Sequence, residues 1–375
     1  MTLLTGLTGL FGLFLVLLVV WEGFETIILP RSITRGFRLT RGFYRSLWPG
    51  VAAIARRTPD GRRQQLLAYF GPLSLPLLLV FWACLLVTGF ALMQYAIPHA
   101  LTRVEGMTRI QTALYESGVT FFTLGYGDVL PHTNVARFLA VTEAGVGFGF
   151  LAVVIGYLPV LYQAFSRREA IISLLDARAS SPPSATEMLR RHAEGDHMAG
   201  LTPLLADWER WASELLESHL SYPVLMYYRS QHDHQSWLSA LTAVMDTCTL
   251  LLVGVPGSPQ WQCELQWQAR MTLAMCRHAI IDLAYVVNYA PAEDLLDRLP
   301  PEDLLTLRQT LAGAGLPLCD GPEDDQKLTD LRALYEPYVV SLGGILMFSI
   351  PAWLPSADTP DNWQTSAWDK DTQHF

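Results

Sequence analysis

Charged residues are scarce in this chain of 375 residues, since Asp, Glu, Lys and Arg make up 16% of it while hydrophobic residues make up 51%. Residues 1–21 and residues 64–98, for example, contain no Asp, Glu, Lys or Arg. The net charge of −9 gives no broad basic surface for nucleic acid, so nucleic acid is not an expected partner. The length allows about two or three domains, and the composition predicts a membrane protein with a soluble portion.

Cysteine is also sparse, and no Cys-x-x-Cys pair occurs. The five cysteines are scattered along the chain at Cys84, Cys248, Cys263, Cys276 and Cys319. An odd number without paired spacing excludes the usual pattern of a disulfide framework and of a zinc site. We therefore expect reduced thiols.

Three segments reach the length of about 20 mostly apolar residues that a bilayer-spanning helix needs. The first covers residues 3–21, and it lacks the basic start and cleavage site of a signal peptide, so we expect it to be retained. The second lies within residues 64–98 and enters the membrane at Gly71 and Pro72. The third runs from residue 134 to about Phe165.

Between the second and third segments lies a motif whose chemistry resides in the backbone. Its residues are Thr123, Leu124, Gly125, Tyr126, Gly127 and Asp128. The two glycines permit backbone angles that other residues resist, so successive carbonyl oxygens can point the same way. A ring of such oxygens from several chains can replace the hydration shell of a potassium ion. A Gly-x-Gly triplet alone is often a tight turn, but the short helical segment before it and the apolar segments on both sides favour the ion-binding interpretation.

The motif and its flanking segments resemble the tetrameric potassium channel pore family, whose signature is Thr-x-Gly-Tyr-Gly-Asp. The resemblance implies an all-α membrane protein in which residues 71–166 form an outer helix, a pore helix, a selectivity filter and an inner helix. It implies that the filter residues bind K⁺ as the transported ion and that no other cofactor is needed. These residues are Thr123, Leu124, Gly125, Tyr126 and Gly127. Leu124 replaces the commoner valine or isoleucine, a mild change because its carbonyl coordinates the ion.

The resemblance also indicates which residues support the filter. Some family members carry a glutamate four residues before the filter threonine, where this chain has Val119, so we expect Tyr115 to hydrogen-bond Asp128 instead. Gly147 stands where the family often has a gating-hinge glycine, although small residues also allow close helix packing in membranes. Glu143 is expected to be a structural partner near the pore helix.

One copy of the motif cannot enclose an ion, and the sequence contains a single copy. We therefore expect a homotetramer with four chains around one axis in the lipid bilayer. Nine arginines lie between the first and second segments, but the loop between the second and third has only Arg103, Arg109 and the border residue Arg137. The positive-inside rule then predicts a multi-pass protein of the cell (inner or plasma) membrane, with the N terminus outside and the C-terminal domain in the cytoplasm.

The first arginines of that loop recur at helical spacing, which leaves two interpretations open. They are Arg31, Arg35, Arg38, Arg41 and Arg45. A voltage-sensing helix carries arginines along one face. The segment has too little apolar length to cross a membrane, and only one span precedes it, which favours an interfacial amphipathic helix. Its aromatic residues, including Tyr44 and Trp48, are then available for the lipid side.

These observations divide the chain into four parts. Residues 1–28 form an N-terminal transmembrane helix, residues 29–70 an Arg-rich cytoplasmic interfacial segment, residues 71–166 the pore domain, and residues 167–375 a helical cytoplasmic domain with a polar C-terminal tail. Helix-start signals predict an all-α bundle in the last part, and they lie at Ser184, at Thr202 and Pro203, at Pro291 and at Pro301.

Residues 237–255 are apolar but interrupted by Asp246, which predicts a buried core helix of that bundle. The metal-like features of this part are the run His232, Asp233 and His234 and the pair His278 and Asp282. Such spacing alone is weak evidence for a metal, and exposed or hydrogen-bonded polar residues are the favoured explanation.

We therefore expect a potassium-selective ion channel, not an enzyme, whose cytoplasmic domain regulates gating in response to an unknown ligand. The alternative is a non-conducting membrane sensor or a metal-dependent enzyme that uses a pore-like anchor. Ion flux distinguishes the two.

Overall fold

The computed structural model describes residues 3–28, 38–230, 235–256, 260–287, 290–292 and 297–355. Within these ranges the protein is helical, and its extended contacts are limited to an isolated bridge between Leu101 and Pro131. The predicted fold class, an all-α membrane protein, is confirmed. The helices group into two compact units, Met1–Gln163 and Ala164–Phe375.

The first unit contains the helices that flank the filter motif. They are α1 (Leu3–Gly23, continued by a π-helical turn over Phe24–Ile28), α2 (Leu39–Arg56), α3 (Asp60–Ala96), α4 (Arg109–Phe121) and α5 (Asn134–Ala179), of which α5 extends into the second unit. The second unit continues with α6 (Ala185–Glu194), α7 (Leu201–Ser221), α8 (Trp237–Val253), α9 (Gln262–Val286), α10 (Pro301–Gly313), α11 (Pro322–Ala333) and α12 (Glu336–Leu346). Helices α6 and α10 begin at the predicted signals. Helix α7 begins at Leu201, one residue before the predicted start at Thr202 and Pro203. The described residues around Pro291, 290–292, are not helical.

Among the residues that the structure describes, three helices are long and apolar enough to cross a membrane, and they correspond to the three predicted segments. They cover Leu3–Thr26, Gly61–Ala96 and Asn134–Ala179. Helix α3 begins before Gly71 and Pro72, so the predicted entry point lies inside the helix. Helix α5 continues past Phe165, because no glycine or proline interrupts residues 166–179.

Helix α2 is not among these candidate spans, which favours the interfacial interpretation over a voltage-sensing span. Its buried face packs on α3, where the rings of Trp48 and Phe70 lie 4.9 Å apart. Tyr44 and Ser74 share a hydrogen bond of 3.3 Å. The prediction that Tyr44 and Trp48 face lipid is wrong, because α3 buries both side chains. Arg31 and Arg35 lie outside the described residues.

Helices α1 and α3 approach closely where two glycines meet. A Cβ atom on Gly12 would lie 2.5 Å from the carbonyl oxygen of Gly89, and one on Gly89 would lie 2.9 Å from the carbonyl oxygen of Gly12. Small residues at such a crossing let membrane helices pack backbone to backbone. The additional N-terminal helix is therefore packed directly on the predicted outer helix of the pore.

The second unit is built around α8, all of whose residues are buried, as predicted for this apolar segment. Asp246 of α8 is charged and 1% exposed, and it is satisfied by a buried polar network. Arg298 donates to Asp246 Oδ2 at 2.6 Å and to Glu336 Oε1 at 2.9 Å. Tyr335 Oη donates to Asp246 Oδ1 at 2.6 Å. Burial, together with the negative charge of Asp246, raises the pKa of the Tyr335 hydroxyl well above its usual range, so this group remains a donor.

The five cysteines are free, in agreement with the expectation of reduced thiols. Burial raises the pKa of the Cys248 thiol well above its ordinary value, and burial likewise raises the pKa of the Cys276 thiol. Both groups therefore stay protonated and pack as small hydrophobic side chains.

Asp246→Asn tests whether the buried network stabilises the second unit. The substitution removes the charge that faces Arg298 and leaves a buried guanidinium short of a partner, which should lower the free energy of unfolding by about 3–5 kcal/mol. The matched control is Asp207→Asn, which breaks an exposed pair with Arg210 at 3.6 Å and should cost about 0–1 kcal/mol. Calorimetry of the full chain in detergent measures both, and equal effects would contradict a stabilising role for the network.

Candidate ion-conduction site

Helix α4 delivers the chain directly into the filter motif. Its start is fixed by a capping box, in which Thr108 N donates to Gln111 Oε1 at 2.9 Å and Gln111 N donates to Thr108 Oγ1 at 3.4 Å. At its other end, Thr123 N donates to the carbonyl oxygen of Thr120 at 3.0 Å, and Leu124 N donates to that of Val119 at 2.8 Å. The first filter residues therefore continue the hydrogen bonding of the helix.

The backbone of the motif alternates between left-handed and ordinary conformations. Thr123, Gly125 and Gly127 have φ angles of 58°, 61° and 77°, while Leu124 and Tyr126 between them lie outside the positive-φ region. Such an alternation turns successive peptide groups so that like atoms line one side. On the carbonyl side this gives a row of oxygens of the kind that can coordinate a dehydrated cation.

The backbone conformation of Thr123 is one that the sequence does not predict. Glycine adopts a positive φ at little cost, but a β-branched residue rarely does so, and its φ of 58° is an outlier for threonine. Residues held in such conformations cluster at functional sites, where the surrounding structure maintains them. The sequence identified Thr123 through the family signature but gave no sign of its conformation.

The outer end of the motif is held by side chains and by the loop before α4. Tyr115 Oη donates to Asp128 Oδ2 at 2.8 Å, which is the contact expected from the resemblance. Thr102 N donates to the carbonyl oxygen of Leu130 at 3.0 Å, and His132 N donates to that of Ala100 at 2.8 Å. The role of Tyr115 and Asp128 in filter support stays a prediction, with this geometry in its favour.

Two buried acidic residues lie on α4, the predicted pore helix, and on the neighbouring α5. Glu116 is 6% exposed and accepts a hydrogen bond of 3.1 Å from Thr120 Oγ1. Glu143 of α5 is fully buried and is hydrogen-bonded to Ser117 of α4. The prediction that Glu143 is a structural partner near the pore helix is confirmed. Its partner Ser117 was missed, because an isolated serine carries no sequence signal.

Gly147 lies where α5 passes the end of α4. A Cβ atom on Gly147 would be 2.1 Å from the carbonyl oxygen of Phe121, closer than any atoms pack. Close packing of α5 on α4 therefore requires a residue without a side chain at position 147. Such packing was the alternative to a hinge role for Gly147. Its role as a gating hinge stays a prediction.

The metal-like features of the sequence are not brought together into a site. His278 Nε2 and Asp282 Oδ2 lie 3.6 Å apart on an exposed face of α9. Across the described ranges no group of three or more His, Cys, Asp or Glu side chains could hold a metal ion. His232, Asp233 and His234 lie outside the described residues.

Comparison with known proteins gives a family match for the segment that contains this motif. Residues 77–163 match the family model described as "Ion channel", and the resemblance found in the sequence is confirmed for that part of the chain. The matched segment contains most of α3, all of α4 and the filter motif, and the first part of α5.

The chain is also similar to two curated bacterial proteins. It is 25% identical over 275 residues to "Uncharacterized membrane protein YdjJ" of Bacillus subtilis (strain 168), covering 72% of this chain and 76% of that protein. It is 31% identical over 88 residues to "Protein LctB" of Bacillus caldotenax, covering 20% of this chain and 64% of that protein. No solved structure gives a significant match.

Gly147→Ala distinguishes packing from hinge flexibility. The added methyl group must displace the end of α4, so we expect a loss of about 1–3 kcal/mol in stability, as for other overpacked sites, and a reduced ion flux. The matched control is Gly149→Ala, where a Cβ atom meets nothing within 4 Å, although helix propensity rises equally. Thermal unfolding and vesicle flux measure both, and equal effects of the two variants would favour stiffening of α5 over the clash.

Proposed function

We propose that this protein is a potassium-selective channel that conducts K⁺ down its electrochemical gradient through a homotetrameric pore. The observation that carries the proposal is the alternating backbone from Thr123 to Gly127, which lies in the family-matched pore domain at the end of the pore helix. Four such segments around an axis supply stacked rings of carbonyl oxygens, and the Thr123 hydroxyl adds a further oxygen at the inner end. K⁺ then exchanges its hydration shell for these oxygens at little cost.

The side chains around this segment hold its geometry and do not need to touch the ion. Helix α4 fixes the inner end through the bonds to Thr120 and Val119. The Tyr115–Asp128 hydrogen bond fixes the outer end. A filter held from both ends keeps its carbonyl groups in place when the ion leaves, which is the condition for preferring K⁺ over a smaller ion that needs a narrower ring.

The tetrameric assembly is supported by the apolar surface that a single chain leaves exposed. Tyr126 is 68% exposed in the isolated chain although it belongs to the filter. Phe148 and Ile155 on α5 are also exposed, at 69% and 63%. Apolar surface of this kind is covered by lipid or by another chain. Because Tyr126 lies beside the proposed ion pathway, we infer that another chain covers it. A closed ring of four copies provides such cover for every chain equally.

The proposed topology places the Arg-rich helix α2 and the second unit in the cytoplasm and the loop between α3 and α4 outside. The second unit is proposed to regulate gating and not to catalyse a reaction. Its first segment is the continuation of α5, the predicted inner helix, and Arg168 of this segment is fixed inside the second unit. Arg168 donates to the carbonyl oxygens of Leu225 at 2.9 Å and Tyr228 at 3.0 Å.

Ion selectivity tests the proposal. In vesicles that contain the purified full chain, K⁺ flux should exceed Na⁺ flux by a large factor, and Tyr126→Asp should reduce this ratio because it replaces the aromatic brace with a charge. The conservative control is Tyr126→Phe, which keeps the ring and should retain selectivity. Equal K⁺ and Na⁺ flux through the unmutated protein, or no flux of either ion, would overturn the proposal.

Removal of the chain after Ala177 tests the regulatory role. Permeation lies in the pore domain, so the truncated protein should keep its K⁺ over Na⁺ preference while its open probability changes. Asp246→Asn in the full chain is a milder perturbation of the same unit, and Asp207→Asn is its control. If the truncated protein remains tetrameric and gates identically, regulation is excluded. If it becomes monomeric, the second unit serves assembly.

A further inference from the structure

Glu143 connects three helices behind the filter through one serine. It lies on α5 with 0% of its surface exposed. Its Oε1 is hydrogen-bonded to Ser117 Oγ on α4. The same Ser117 Oγ lies 2.7 Å from the carbonyl oxygen of Val87 on α3. Three elements of the pore domain therefore meet at a single hydroxyl group.

Counting hydrogen atoms at this hydroxyl decides which group donates. A serine hydroxyl has one hydrogen, and a backbone carbonyl oxygen can only accept. Ser117 therefore donates its hydrogen to Val87, and its oxygen is left as an acceptor for Glu143. A carboxylate has no hydrogen to give, whereas a protonated carboxyl group has one. We propose that Glu143 is a neutral carboxylic acid that donates its proton to Ser117 and thereby links α5 to the pore helix and the outer helix.

The surroundings of Glu143 also disfavour a negative charge. Its Oε2 is buried without a hydrogen-bond partner among the described residues. Residues 64–98, which include most of α3, carry no positively charged side chain. The residue before Ser117 is Glu116, a second buried carboxyl group that would repel an ionised Glu143. Ionisation inside a membrane domain without a cation or donors is costly.

A second contact joins α4 and α5 one helical turn further along. Glu143 and Gly147 lie four residues apart on α5, and their partners Ser117 and Phe121 lie four residues apart on α4. Positions four residues apart share a helix face, so the two contacts hold the two helices in one register. Glu143 is thus a positioning residue for the end of α4 that leads into Thr123, a consequence that rests on the proposed function.

Infrared difference spectroscopy tests the protonation state without requiring ion flux. The spectrum of the full-length wild-type protein minus that of Glu143→Gln, at neutral pH in detergent, should show the carbonyl stretch of a protonated carboxylic acid. The glutamine amide can still donate to Ser117, so this variant should keep the thermal unfolding midpoint of the wild type. If the difference spectrum shows a carboxylate band and no acid band, the proposal is overturned.

Three further variants make the assignment specific. Glu105→Gln, on the exposed loop before α4, should remove only a carboxylate band. Glu116→Gln should leave the acid band intact. Ser117→Ala should shift the acid band to higher frequency, because the proton loses its acceptor, and an unshifted band would exclude Ser117 as that acceptor.

The ion-flux result is independent of this measurement. An acid band in a protein that conducts no ions would leave the proton assignment standing and remove the proposed function. If Glu143 is a carboxylate in a protein that selects K⁺, the proton assignment is wrong and the proposed function stands.

Discussion

The pore domain depends on one constraint, which is that polar groups within a membrane find no water and must be satisfied by the protein or by what passes through it. The long helices α1, α3 and α5 meet this constraint through their own backbone hydrogen bonds. The proposed filter segment meets it differently. Positive φ angles alternate at Thr123, Gly125 and Gly127, a conformation that can turn successive carbonyl oxygens toward one side. In the proposed tetramer the permeating ion is what satisfies these oxygens, so the same feature serves stability and conduction.

A filter of five residues has no core of its own, so its shape is set by the elements around it. Helix α4 carries most of this task. It begins at a capping box on Thr108, and α5 contacts it at Ser117 and at Phe121. Two helix crossings need glycine. Gly147 lets α5 approach the backbone of Phe121 at the end of α4, and Gly12 lets α1 approach the backbone of Gly89 on α3. Displacement at either crossing changes where α4 and α3 stand relative to the filter.

The sequence predicted the parts of this fold that follow from composition and from local pattern. The three spans, the helical second unit, the buried helix α8 and the hydrogen bond from Tyr115 to Asp128 all have such a basis. The limits of α3 and α5 were less predictable, because neither Pro72 nor the charged residues 167–169 interrupt their helices. The contacts of Tyr44, Trp48 and Ser117 could not be found in the sequence, since they join residues 22 to 30 positions apart in the chain.

Asp246 and Glu143 show two ways of burying an acidic side chain in one protein. Asp246 keeps a charge-balancing guanidinium from Arg298 and a donor from Tyr335, at distances of 2.6 Å each. That arrangement needs several neighbouring elements to supply partners, which the second unit provides. In the first unit Glu143 is hydrogen-bonded to the hydroxyl group of Ser117, and its other carboxyl oxygen has no hydrogen-bond partner among the described residues. A neutral acid satisfies such a site with one proton. It also places no fixed charge beside the proposed pathway for cations, where a negative charge would alter the field felt by the permeating ion.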